Sequence, residues 1–158
     1  MNQLLDRLQR SFAVSDLSVR KPGLTTLKVG KDSAEILIRE LRDREGYTHL
    51  NFITCIDYIE DGIFTLVYML HNYSSKDTLS VHVDIDREQA EMTSIHTLWA
   101  QAWTYQRELR EMYGISFREF DTKALSDERF GHREGRHSEV PRVHMKMELY
   151  PKRGGDEQ

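Results

Sequence analysis

The run from His49 to Asp86 limits the fold more than any other part of the chain. Apolar residues there recur mostly at every second position, in three stretches separated by turn residues. That period belongs to strands, because successive side chains of an extended backbone point to opposite faces. His49–Ile59 is expected to place Leu50, Phe52, Ile56 and Tyr58 on one side, with Asn51, Ile53, Cys55, Asp57 and Ile59 on the other. Glu60-Asp61-Gly62 predicts a tight hairpin turn, with Asp-Gly supplying positive φ values. Ile63–His71 returns with apolar residues on both faces, and Asn72–Asp77 reads as a polar loop. Thr78–Asp86 alternates cleanly, Leu79, Val81, Val83 and Ile85 against Ser80, His82 and Asp84. Three strands joined by short turns predict an antiparallel meander with helices packed on one face, so the fold class is α+β.

Helical patterns flank this sheet. Residues 3–12 carry Leu4, Leu5, Leu8 and Phe12 on one side of a short helix. Lys21-Pro22-Gly23 is a turn signal and Leu24–Gly30 reads as a strand. Asp32, with Glu35 three positions on, predicts a capping box. Ile36, Leu37, Ile38 and Leu41 then crowd the interior of a helix that Gly46 ends.

The stretch Leu98–Ile115, LWAQAWTYQRELREMYGI, is a second strong constraint. Leu98, Ala102, Tyr105, Leu109 and Met112 recur in steps of four and three, which turns them toward a core. The helix is expected to start near Ser94 and to stop at Gly114, where a left-handed residue costs glycine nothing. Beside the apolar row runs an aromatic and charged one, Trp99, Trp103 and Tyr113 with Gln106, Arg107, Glu108, Arg110 and Glu111 between. That second row is more than the domain's own core needs, and it predicts a partner protein.

Composition excludes several classes. Net charge is −4, which argues for a soluble protein and against a nucleic-acid binder. No window approaches the ~18 consecutive apolar residues of a membrane span, and the N-terminus lacks the apolar core of a secretory signal. Cys55 is the one cysteine, so neither an intrachain disulfide nor a four-cysteine metal site is expected, and the compartment reads as reducing and cytoplasmic. Phosphate-binding glycine loops and serine–histidine–acid signatures are absent from the sequence. Residues 121–158 are rich in both charges and short of branched apolar residues, which predicts an extended polar arm after a domain of residues 1–120. His132 and His137 lie five apart around Glu134, the wrong spacing for a helical metal pair, so no metal site is expected there.

Several pieces resemble the 30-kDa subunit family of respiratory complex I, also called its C subunit. That family's strand ending in ID-Y matches Ile56-Asp57-Tyr58, and its Y-x-L matches Tyr68-Met69-Leu70. Its S-x-x-x-x-W matches Ser94 with Trp99. Its A-N-W-Y-E-R-E-x-x-D-x-F-G-I is similar to the run from Ala102 to Ile115, with Thr104, Gln106 and Glu111 as departures. The respiratory members' L-P-x-x-W-like segment has no counterpart in Ser126–Arg142, which leans toward the membrane-bound nickel–iron hydrogenase branch.

The resemblance implies a non-catalytic structural subunit of a membrane-bound, energy-converting oxidoreductase. Such a subunit has no cofactor of its own; iron–sulfur clusters and a nickel–iron centre would sit in neighbouring subunits. Its partners would be a catalytic large subunit and a small iron–sulfur subunit, with membrane contact only through them, on the cytoplasmic side. The interface is expected to use Trp99, Trp103, Gln106, Arg107, Glu108, Arg110, Glu111, Tyr113 and Asp57. The alternatives are the C subunit of an NADH- or F(420)H(2):quinone oxidoreductase, and a free-standing assembly or regulatory module.

Overall fold

The computed structural model describes residues 2–118. Its elements run α1 (Asn2–Phe12), β1 (Ser15–Lys21), β2 (Leu24–Val29), α2 (Lys31–Asp43), β3 (His49–Tyr58), β4 (Ile63–Asn72), β5 (Asp77–Asp86), β6 (Glu91–Met92), α3 (Ala102–Tyr113) and β7 (Ser116–Phe117). The expected boundary at residue 120, Phe120, the polar arm and the histidines within it lie outside the described residues.

The class is α+β. β3, β4 and β5 form the antiparallel meander. The sheet is wider than that meander, however, with order β1-β2-β5-β4-β3. β2 joins β5 in parallel, and β1 pairs with β2 across the Pro22-Gly23 turn. β1 carries little alternation because it is an exposed edge strand, interrupted by bulges.

One core cluster binds the helices to one face of the sheet. It joins Leu8 of α1, Leu37, Ile38 and Leu41 of α2, and Leu109 of α3 to Leu66, Tyr68, Leu70, Val81 and Val83 of the central strands. Ile36 is not part of it; it lies on the outer side of α2, more than half exposed, while Ala34 takes the inward place. The capping box is corrected too. Gly30 is the N-cap and no side chain caps the helix, so Asp32 lies within the first turn and Glu35 bonds Arg39 instead.

β3 departs from the expected alternation in its first half. A bulge between Leu50 and Phe52 leaves Asn51 without a register partner. The extra residue turns the strand over. Leu50, Ile53 and Cys55 therefore face the core, while Phe52, Ile56 and Tyr58 are 38%, 39% and 44% exposed on the other face. In the turn that follows, Asp61 N donates to Tyr58 O at 3.2 Å and Gly62 N to Ile59 O at 3.3 Å. Gly62 alone takes the left-handed conformation there, at φ 68°.

Candidate partner-docking surface

The segment before α3 is a series of turns rather than helix, so α3 begins at Ala102, eight residues later than the spacing suggests. It ends as expected. Gly114 has φ 72° and its N–H donates to Arg110 O at 2.9 Å.

This segment is held against the start of β3, an edge strand whose outward carbonyls have, among the described residues, no neighbouring strand to meet. Trp99 Nε1 donates to Thr48 O at 2.8 Å. Gln101 Nε2 donates to Leu50 O, and the Tyr105 hydroxyl donates to Asn51 O at 2.9 Å. Arg42 closes the arrangement from α2, with Nη1 donating to Leu98 O at 2.6 Å and its guanidinium 5.7 Å from the Trp99 ring centroid. Much of the aromatic row is thus used inside the chain, where it satisfies the edge of the sheet.

Gln106 is a correction to the expected interface. It is fully buried, and its amide is bonded to the Ser94 hydroxyl through both ends, at 2.9 and 3.0 Å. Ser94 also lies 2.7 Å from His96 Nδ1. The signal for this pairing is the Ser94 position itself, which the sequence pattern marks but does not join to Gln106.

Asp57 and Tyr113 come together through two residues that the sequence did not single out as a site. Arg87 meets Asp57 with Nε–Oδ1 2.9 Å and Nη2–Oδ2 3.2 Å. Its guanidinium lies 5.4 Å from the centroid of Phe64, and Phe64 meets Tyr113 edge-on at 5.6 Å. The Asp57 carboxylate is therefore committed within the chain and raises the pKa of Arg87, chiefly by hydrogen bonding.

What remains outward is the charged flank of α3. Arg107 stacks 4.8 Å from the half-buried Trp103 ring and reaches Glu111 at 3.8 Å. Glu108, Arg110 and Glu111 are exposed beside it. Met112, expected in the core, is 73% exposed and belongs to this surface instead. The outer flank of α3 thus carries an exposed apolar thioether among side chains of both charges. Among the described residues no group of three or more His, Cys, Asp or Glu could hold a metal ion. No helix among them is long and apolar enough to cross a membrane.

The chain is similar to known proteins in sequence and in fold. The family described as "Respiratory-chain NADH dehydrogenase, 30 Kd subunit" matches residues 27–133. The C subunit of NADH-quinone oxidoreductase from Moorella thermoacetica is 32% identical over 118 residues, covering 74% of this chain and 78% of the relative. The C subunit of F(420)H(2) dehydrogenase from Methanosarcina mazei is 26% identical over 122 residues, covering 75% and 77%. In fold, the chain is similar to one in the structure of the membrane-bound sulfane sulfur reductase, an archaeal respiratory membrane complex. That match has TM-score 0.66 and 22% identity, and covers 74% of this chain and 69% of the other.

Proposed function

The chain belongs to the family of the 30-kDa subunit of respiratory-chain NADH dehydrogenase, and from that premise we propose that it is the corresponding subunit of a complex I-like quinone oxidoreductase. The observation that carries this reading is the match to the Moorella relative over most of both chains. The F(420)H(2) dehydrogenase relative keeps the electron donor open between NADH and F(420)H(2). These relatives favour a quinone reductase over the hydrogenase branch that the altered tail suggests. In this reading the domain is structural. It reaches the membrane through other subunits and docks a catalytic neighbour with the outer flank of α3, from Trp103 to Met112.

The physical support is a division of labour along one helix. Its inner side and preceding turns complete the sheet edge; on its outer side the Arg107–Glu111 pair is local and partly exposed, and is worth little to the fold. The test is affinity purification of the tagged chain from detergent-solubilised membranes of its host. A stable complex with a quinone-reducing large subunit, active with NADH or F(420)H(2), is the expected result. Hydrogen-dependent activity in the purified complex would return the reading to the hydrogenase branch. A monomeric chain with no large subunit bound would overturn it.

A further inference from the structure

The open face of the sheet points to a second docking surface, distinct from α3. Residues of alternate register on β3 and β4 turn away from the core cluster; those of β3 are exposed, while Thr65 and Val67 of β4 are buried beside them. Phe52 stands opposite Met69, Thr54 opposite Val67, Ile56 opposite Thr65 and Tyr58 opposite Ile63. Phe52, Ile56 and Tyr58 form an exposed apolar row along β3. It leads into Ile59 of the turn, which is 69% exposed. Four large apolar side chains exposed between Phe52 and Ile59, with Thr54 interrupting the row, are not the scattered single residues of an ordinary surface.

Beside the row, above β5, lies a cleft of about 280 Å³ whose walls come from β1–β2 on one side and the β3–β4 turn on the other. Asp16 and Arg20 line the first wall, Tyr58 and Asp61 the second, and Lys28 and His82 the floor. Lys28 is neutralised by Asp84 at 2.6 Å. Burial, then Lys28 and Arg20, lower the pKa of His82, so it adds no positive charge near neutrality. Among the described residues, Arg20 is then the one cation lining the cleft that is not engaged in this way, against Asp16 and Asp61. Glu60 and Asp86 stand exposed at the same end of the face. The combination is an apolar row ending in an acidic cleft.

We infer that this face receives a basic, apolar segment of a partner subunit, whose apolar side chains cover Phe52, Ile56 and Tyr58 and whose lysine or arginine enters the cleft toward Asp61. The complementarity is specific in sign. A partner with acidic side chains at this point would face like charges and be rejected. The inference rests on the reading of the chain as a subunit of a larger complex.

The test uses the complex purified through a tag on this chain. The variant Glu60→Lys with Asp61→Lys reverses the turn's charge, and Ile56→Arg interrupts the apolar row. Ser75→Lys, in the turn at the opposite end of the strands, is the control. Circular dichroism and thermal unfolding of each isolated chain confirm that the exposed substitutions leave the fold intact. The open-face variants are expected to lower the recovered partner by ~10-fold at physiological salt, and the control not at all. In parallel, photo-reactive p-benzoylphenylalanine in place of Ile59 is expected to cross-link to a lysine- or arginine-bearing segment of a partner subunit. If the wild-type chain assembles and the variants assemble equally well, the inference fails. It fails equally if the cross-links map to a second copy of this chain or to its own residues 119–158. A wild-type chain that assembles with nothing instead sinks the subunit reading, and the inference with it.

Discussion

Gln106 and Ser94 hold each other inside the domain, amide to hydroxyl at 2.9 and 3.0 Å, with both side chains buried. The pair ties the middle of α3 to the turns that precede it. A buried amide that loses its partner keeps its desolvation cost. Ser94→Ala and Gln106→Ala are each expected to lower stability by about 1–3 kcal/mol. The double variant should lose less than the sum, because the second substitution removes a group that the first has already orphaned. Urea unfolding of the four proteins measures this; strict additivity would mean that the bond contributes nothing.

The bulge at Asn51 makes an opposite prediction for two neighbours. Phe52 and Ile53 are both large and apolar, yet Ile53 is buried and Phe52 is 38% exposed. Ile53→Ala removes core volume and should cost about 2–5 kcal/mol. Phe52→Ala should cost less than about 1 kcal/mol, since it opens no cavity. Equal losses would place the register one residue away from the one described.

These two cases show what could be read from the chain and what could not. Strands β3 to β5 were legible because their period of two runs over many residues, and so was the stop of α3, which needs only Gly114. The bulge was not legible. One unpaired residue leaves the composition of β3 unchanged, yet inverts its faces, so plain alternation puts Phe52 and Ile56 on the same side as Leu50. β1 was missed because an exposed edge strand has no buried side to impose alternation. The aromatic and charged surplus around α3 was legible, but the pattern could not divide it. Whether Trp99, Tyr105 or Gln106 serves a partner or the fold depends on carbonyls and a hydroxyl 12 to 54 positions away in sequence.

Cys55 predicts an alkaline loss of stability. Burial first, then the charge of Asp57, push its thiol from an ordinary value of 9.0 up to about 11. Folding therefore favours the protonated thiol. That contribution is complete below pH 9 and disappears as the pH rises through about 11. Tyr47, pushed up to about 12 by burial and then by Asp77 and Glu45, acts in the same direction at higher pH. Urea midpoints should fall steadily between pH 9 and pH 11. Cys55→Ala should shift the whole curve and flatten its slope in that window; an unchanged slope would refute the assignment.

His82 predicts the reverse at the acid end. Its ring lies 2.9 Å from the Ser80 hydroxyl, and its pKa is lowered below 6.5 by burial, then by Lys28 and Arg20. Folding favours the neutral ring, so its contribution is present above pH 6.5 and is lost as the pH falls through the lowered value. An imidazole titration by NMR should place His82 below the exposed histidine range. Lys28→Met should raise it, by removing a cation and releasing Asp84, which is bonded to Lys28 in the folded chain. A rise on removing Lys28 would show that the ring senses the charges of the open face.

The two sides of the α3 segment should separate stability from assembly. Trp99→Phe loses the bond to Thr48 O and weakens the contact with Arg42, and should cost about 1 kcal/mol with little effect on partner binding. Glu111→Ala breaks only a partly exposed pair at 3.8 Å and should change stability by less than about 0.5 kcal/mol, while Arg107→Ala also gives up the stacking on Trp103 and should cost up to about 1 kcal/mol. Met112→Arg adds charge to a side chain that is already 73% exposed, so the isolated chain should tolerate it. If the outer flank docks a neighbour, Met112→Arg and Glu108→Lys should still strip the chain from its complex, because each leaves a charge unpaired on desolvation. Thermal unfolding of the isolated chain and subunit stoichiometry of the purified complex read the two effects independently. Variants that lose stability and assembly in proportion would show that this side of α3 belongs to the fold alone.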